Sequence, residues 1–409
     1  MSARIARAVS HALLRRIHSG SLTVLEDGRP PVSFGDGAPR ATVHVREPRA
    51  WRMLLCGSNG LAEAYAQKLW DSPDPTAVVR VAARNADALD RLRARFAPLL
   101  VSAQRARMLA NANTRRRRRR DIAAHYDLGN ELFELILDTT MSYSCALFER
   151  PGMSLREASL AKLDLVCDRL RLGPDDHLLE IGGGWGALAL HAASAYGCRV
   201  TTTTISREQH AHTSEQVRRA GLQGRVTVLF EDYRDLRGRY DKLASIEMIE
   251  AVGWRHFGTF FDCCSRLLEP DGAMLLQAIT IEDRAYDVEK ASRSFMNTYI
   301  FPGGCLPSLG VIERAVEQRT DMRLAHLQDI TPHYVQTLRN WRANFEHNAK
   351  RLEALGYDKR FRRIWRLYLA YCEAGFAERR IGDVQLLLTK PHWPAAAAAQ
   401  RAFSDVAYG

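Results

Sequence analysis

Three features of the sequence predict an α/β protein with a Rossmann-like, mostly parallel, doubly wound sheet and a small α+β amino-terminal domain. The first is Leu178–Ala187, LLEIGGGWGA, where a short apolar run ends in Glu180 and glycines follow at 182, 183, 184 and 186. The helix-like ALALHAASAY comes next, so the stretch reads as strand, tight turn, helix. Without Cβ atoms such a turn takes positive φ and lets its backbone approach a ligand. The second feature is the alternation of strand-like and helix-like segments after this turn. The third is a change of character near residues 111–121, where Arg115 to Arg120 form an unbroken basic run.

Taken in order, residues 1–110 form the amino-terminal domain. It opens on a basic amphipathic stretch, MSARIARAVSHALLRRIHSG, read as a surface helix because it lacks the long apolar region of a secretory signal. Ser21–Leu25 and Ala41–Val45 alternate as strands, while Leu61–Trp70 and Ala83–Leu109 carry helical periodicity. Residues 111–121 are an Arg-rich linker, since adjacent like charges repel and stay out of a core. The catalytic-type domain spans 122–393, and 394–409 is a tail. The expected strands are His177–Ile181, Cys198–Ile205, Arg225–Phe230, Lys242–Met248 and Ala273–Ile279, separated by helices near 186–196, 206–220 and 254–268. Residues 282–310 hold Tyr299–Ser308, YIFPGGCLPS, whose mixture of aromatic, Pro and Gly residues suggests a pocket wall or lid, not a strand. Two long helices, Tyr334–Leu355 and Lys359–Arg380, precede a final strand, Val384–Thr389, expected at the sheet edge.

Composition narrows the partners. Apolar residues make up 46% of 409, enough for a full core, and no apolar run reaches transmembrane length. The net charge of +11 calls for an anionic partner, either nucleic acid or a membrane surface. No helix-turn-helix, zinc-finger or RNP-type motif is visible, which disfavours nucleic acid. The eight cysteines are scattered without a C-x-x-C pair, so no metal site is expected and reduced thiols in a cytoplasm fit best.

Glu180-x-Gly182-x-Gly184-x-Gly186 has the spacing of the S-adenosylmethionine-binding turn of Rossmann-like methyltransferases. The same glycines fit the looser dinucleotide pattern, but the second strand, VTTTTI, lacks the acid that would hold a nicotinamide cofactor's ribose. Asp232 ends the third strand, where an adenine amino group would sit. Glu247 and Glu250, in SIEMIEAVG, fall at the end of the fourth strand. Their apolar neighbours make at least one of them a partly enclosed acid with a raised pKa. Gln277, on the fifth strand, is placed to share a polar site with Glu250. Tyr334 and Cys372, taken alone, read as packing residues on helices.

From about Ile122 to Lys390 the chain resembles the cyclopropane-fatty-acyl-phospholipid synthases and their mycolic-acid and methylene-fatty-acid relatives. The matching segments are HYDLGN (125–130), MSYSC (141–145), LEIGGGWG (179–186), TISREQ (204–209), DYRD (232–235), EMIEAVG (247–253), YIFPGGCLPS (299–308), HYVQTLRNW (333–341) and YCEAGF (371–376). The resemblance implies a class I methyltransferase that moves a methyl group from S-adenosylmethionine to a cis double bond of a phospholipid acyl chain, forming a cyclopropane. It implies cofactor contacts from Tyr143, Ser144, Glu180, Gly182, Gly184, Gly186, Thr204, Gln209 and Asp232. It also implies a bicarbonate acting as general base, held by Cys145, Glu250 and Tyr334, with Gln277 and Cys372 beside them. Gln277 stands where bacterial members often carry histidine; it can hydrogen-bond an anion but brings no positive charge.

An alkene is a weak nucleophile, so positioning against the sulfonium governs the first step. The resulting carbocation needs aromatic walls and exclusion of water, for which Tyr143, Trp185, Tyr299, Phe301 and Tyr334 are candidates. Loss of a proton then closes the ring, or after a hydride shift leaves a 10-methylene chain, which is the alternative product. The expected setting is cytoplasmic, peripheral to the inner face of an anionic membrane, with room for a homodimer. A non-catalytic lipid-binding relative and a nucleic-acid methyltransferase are the competing readings from other classes.

Overall fold

The computed structural model describes residues 2–86, 128–291 and 294–394. The arginine run, the expected linker, most of the expected Ala83–Leu109 helix, His125–Asp127 and the tail beyond Pro394 lie outside the described residues. Helix α1 (Ala3–Leu14) begins at Ser2, whose hydroxyl accepts from the Ile5 amide. It packs near a four-stranded sheet in the order β2 (Val32–Asp36), β1 (Gly20–Glu26), β3 (Arg40–Val45), β4 (Trp70–Asp71). Helices α2 (Ala50–Leu54), α3 (Gly57–Ala66) and α4 (Pro75–Arg84) complete this part. The helix expected over Leu61–Trp70 stops at Ala66, and Trp70 instead pairs with Val45 in the sheet.

The second sheet has seven strands in the order β10–β11–β9–β8–β5–β6–β7. Its parallel members are β5 (His177–Ile181), β6 (Arg199–Thr203), β7 (Val226–Leu229), β8 (Tyr240–Ile246) and β9 (Leu268–Ile281). Strand β5 has β6 on one side and β8 on the other, so crossovers diverge at its carboxyl end and open a crevice there. Alternation along β5 serves both faces: Leu179 and Ile181 join a core with Phe260, Phe261 and Leu386, while Leu178 joins one with Val166, Leu188 and Val200.

The last strand differs from expectation. Strand β11 (Ile381–Thr389) is inserted antiparallel between β9 and β10, not placed at the edge. Its burial on both faces fits that interior position, with every residue from Asp383 to Leu386 buried. The edge is β10 (Arg323–Asp329), which the sequence did not reveal: nearly all its residues are exposed, so no buried face imposes a pattern.

Between and after these strands come α5 (Asn130–Ile136), α6 (Leu155–Leu170), α7 (Ala187–His191, continuing as a wider turn to Tyr196), α8 (Arg207–Arg219), α9 (Ile249–Val252) and α10 (Phe257–Leu267). They are followed by α11 (Asp283–Ala291), α12 (Leu309–Arg319), α13 (Thr331–His347), α14 (Ala349–Ala354) and α15 (Lys359–Ala377). Among the described residues, 282–310 contribute helical turns and no strand, as expected, and none of them lines the cleft at the end of β5.

One apolar cluster runs from Leu22, Trp51 and Tyr65 of the first part through Phe295 to Trp341, Trp365 and Phe376. Polar contacts reinforce it. Arg360 holds Glu63 through two bonds of 2.9 and 2.8 Å, and Tyr299 donates to the same carboxylate at 2.7 Å. Those hydrogen bonds, the arginine's foremost, hold the Glu63 carboxyl down at about 2.

Candidate active site

The glycine turn after β5 lines an open cleft. Two of its glycines are required by close contacts. A Cβ on Gly183 would lie 1.9 Å from Thr202 Oγ1 and 2.9 Å from Glu180 Oε2; one on Gly182, at φ +87°, would lie 2.5 Å from Met248 Cγ. Thr202 donates to Glu180 at 2.6 Å, and burial raises the Glu180 carboxyl to about 6 despite that bond. The cleft is also lined by Tyr143, Ser144, Glu180, Gly182, Gly184, Thr204, Gln209 and Asp232, so nearly all the expected cofactor contacts gather in one place. Gly186 is set slightly back, closing the turn at φ +89° against Thr213. Thr204 and Gln209 bond each other at 2.8 Å, and Asp232 is paired with Arg234, whose Nε lies 2.7 Å from Oδ1.

Beside this cleft, at the ends of β8 and β9, lies a group of acids whose partners differ from expectation. Glu247, which has the unusual φ of +48°, receives three donors. The Cys145 amide and Gln277 Nε2 reach Oε1 at 2.8 and 2.7 Å, and the Tyr334 hydroxyl reaches Oε2 at 2.5 Å. Glu250 accepts the Ile279 amide at 2.6 Å on Oε1, and its Oε2 is buried without a hydrogen-bond partner. Tyr334, Gln277 and Cys145 therefore converge on Glu247, not on Glu250. Among the described residues Glu247 lines the cleft and Glu250 does not.

The charges follow from these contacts. Burial, then the neighbouring Glu247 charge, pushes the Glu250 carboxyl up to about 8. Burial raises Glu247 as well, but its three donors and the Lys162 ammonium oppose the rise. Burial and the two glutamates push Asp383 well above the usual carboxylate range. Burial likewise drives up the Cys145 thiol and the Tyr334 phenol, keeping both neutral. Donors assigned to a bicarbonate are thus spent on a side chain of the protein, and another anion among them would face the Glu247 carboxyl. These residues do not fit a bicarbonate.

Cys372 is not part of this group. It packs from α15 against the apolar cluster, and burial alone raises its thiol to about 12. Residues missed from the sequence complete the site. Gln277 also bonds Asp383 at 3.1 Å and accepts from Gln385 at 3.0 Å, while Lys162 donates to Ser144 at 3.0 Å. Asp383 and Gln385 alternate on one face of an otherwise apolar strand, and Lys162 sits on the buried face of α6 between Ala158 and Val166. Such polar intrusions into apolar periodicity were the available signal.

All five aromatics expected to form a wall belong to one apolar cluster, but among them Tyr143 and Trp185 alone line the cleft. Tyr143 and Trp185 flank Phe133, with ring centroids 5.2 and 4.5 Å from it, and Tyr143 lies 5.1 Å from Trp341. Tyr334 stacks on Phe376 at 4.2 Å, and Tyr143 shares a 2.7 Å hydroxyl contact with Tyr368, against which Phe301 packs. Tyr299 belongs to the same apolar cluster, with its hydroxyl turned to Glu63.

Comparison with known proteins places this geometry. The family described as mycolic acid cyclopropane synthetase matches residues 113–386. The tuberculostearic acid methyltransferase UfaA1 of Mycobacterium tuberculosis is 36% identical over 378 residues, covering 90% of this chain and 88% of that protein. The cyclopropane-fatty-acyl-phospholipid synthase of Escherichia coli K12 is 35% identical over 359 residues, covering 88% and 89%. The crystal structure of mycolic acid cyclopropane synthase CmaA1 complexed with SAH and CTAB superposes with a TM-score of 0.62 at 32% identity, covering 66% of this chain and 98% of that one.

Proposed function

Because the chain belongs to the mycolic acid cyclopropane synthetase family of S-adenosylmethionine-dependent methyltransferases, we propose that it methylates a cis double bond of a phospholipid acyl chain and forms a cyclopropane. The observation that carries this reading is the junction of the glycine-turn cleft with a buried group of acids beside packed aromatic rings. S-adenosylmethionine supplies an electrophilic methyl group on a sulfonium. The glycine turn, Thr204, Gln209 and Asp232 hold and orient that cofactor from the cleft lining. The faces of Tyr143, Trp185 and Tyr334 steady positive charge developing on the acyl chain, and the packed rings behind them exclude water. A carboxylate of the group accepts the proton released as the product forms. A second product, the exocyclic 10-methylene chain, needs the same groups; the likeness to a tuberculostearic acid methyltransferase favours it.

The substrate's place in a bilayer is matched by α1. Ile5, Val9 and Leu13, spaced one turn apart, are exposed by 56, 40 and 42%, with Arg4, Arg15 and Arg16 exposed around them. An apolar row beside basic residues suits the surface of an anionic bilayer, as does the net charge of +11. No helix among the described residues is long and apolar enough to cross a membrane.

The test is product analysis after incubating the protein with S-adenosylmethionine and oleoyl-phospholipid vesicles. Upfield ring protons in the proton NMR spectrum support the cyclopropane product, and vinylidene protons support the methylene product. No methyl transfer, with vesicle binding retained, would sink both in favour of a binding protein.

A further inference from the structure

We infer that Glu247 is the built-in proton acceptor of this reaction, a carboxylate of the chain doing the work otherwise given to a bound bicarbonate. The inference rests on the acyl-chain reading above and assigns its base. Three donors from separate parts of the fold meet on this one side chain: the Cys145 amide from the loop before α6, Gln277 from β9 and Tyr334 from α13. Such convergence prepares a site for a negative charge. Glu247 also reaches the cleft that receives the cofactor.

Its backbone supports the same conclusion. Glu247 has φ +48°, in the left-handed region that non-glycine residues seldom occupy. The bond from its amide to the Gln277 carbonyl, at 2.9 Å, fixes that conformation and turns the side chain among its donors. Strain held in place beside a ligand cleft is a mark of function.

The division of charge between neighbours is the third support. Glu250 leaves one oxygen buried without a partner, whereas Glu247 gathers three donors that, with the nearby Lys162, oppose the rise burial imposes on it. Environments that separate two adjacent carboxyls in this way assign base and acid. In the step itself a C–H bond of the transferred methyl breaks. Its electron pair forms the third ring bond to the cationic carbon, and the proton passes to Glu247. After a hydride shift, the same transfer gives the exocyclic C=C bond.

The experiment compares wild type, Glu247→Gln and Glu247→Gly in carbon-dioxide-free buffer and with added bicarbonate. Glycine tolerates the positive φ, and glutamine keeps the side-chain shape, so one variant covers a folding failure of the other. Wild-type turnover should be the same in both buffers. Glu247→Gln should lower kcat at least about 100-fold while S-adenosylmethionine affinity stays within threefold, a split that general misfolding would not give. Glu247→Gly should regain at least tenfold when bicarbonate is added. Wild-type turnover that collapses without bicarbonate, or Glu247→Gln retaining a third of the rate, would overturn the assignment. Binding of ¹³C-bicarbonate, followed by NMR without turnover, separates this inference from the function beneath it. Binding to Glu247→Gly and not to wild type supports the inference even if wild type transfers no methyl to lipid, whereas binding to wild type overturns it.

Discussion

Replacing Glu250 with glutamine should make the protein more stable, and the gain should grow with pH. The wild-type carboxyl accepts one amide at 2.6 Å, leaves Oε2 buried without a partner, and lies beside the Glu247 charge. Burial first, then that charge, raises it from 4.5 to about 8. Between those values the folded protein binds a proton that the unfolded chain has released, so the unfolding free energy falls as pH rises. Below 4.5 the group contributes nothing to the slope, and above 8 its full cost is present. A displacement of this size corresponds to a few kcal/mol, about 5 at most. Glutamine mimics the protonated acid, keeps an oxygen for the Ile279 amide and avoids this cost. Urea unfolding at pH 5.5 and 9 should show wild type and Glu250→Gln within about 1–2 kcal/mol at the lower pH and separated by about 2–5 kcal/mol in the variant's favour at the higher. Other raised acids, such as Glu180, are common to both proteins and largely cancel in the comparison. A separation that does not change with pH, or a wild type that gains on the variant as pH rises, would refute the assignment of a proton to Glu250.

Tyr334→Phe removes a donor that favours the charged form of Glu247, so the Glu247 pKa should rise and the acid limb of the pH–rate profile should move upward. Loss of a charged hydrogen bond of about 1.5–3 kcal/mol predicts a movement of roughly one to two pH units, and an unmoved limb would disconnect Tyr334 from the base. Changing Ile5, Val9 and Leu13 together to serine should weaken binding to anionic vesicles on the order of 100-fold, at about 1 kcal/mol per side chain, without lowering the thermal midpoint. Co-sedimentation measures this, and unchanged binding would remove α1 from the membrane contact.

Much of the fold was legible because its signals are local. The LLEIGGGWGA stretch contains its own turn chemistry, and β5–β9 alternate with helices closely enough to announce a parallel sheet. Strand β10 left no trace because an exposed edge imposes no burial pattern, and β11 was misplaced because pairing order is not a property of one segment. The gathering of cofactor-type residues was also legible, since motif spacing sets which strand ends carry them.

What the sequence determined by itself was which side chains arrive at the ends of the parallel strands, because periodicity and glycine placement are written residue by residue. Which acid gathers the donors was decided only in three dimensions. Glu247 and Glu250 are one turn apart in the same apolar stretch, and nothing in their immediate neighbours separates them. Cys145, Gln277 and Tyr334 come from distant parts of the chain, and their donors meet Glu247 because β8, β9 and α13 are packed together. A pKa depends on burial and on partners within a few ångströms, and those are properties of the tertiary structure.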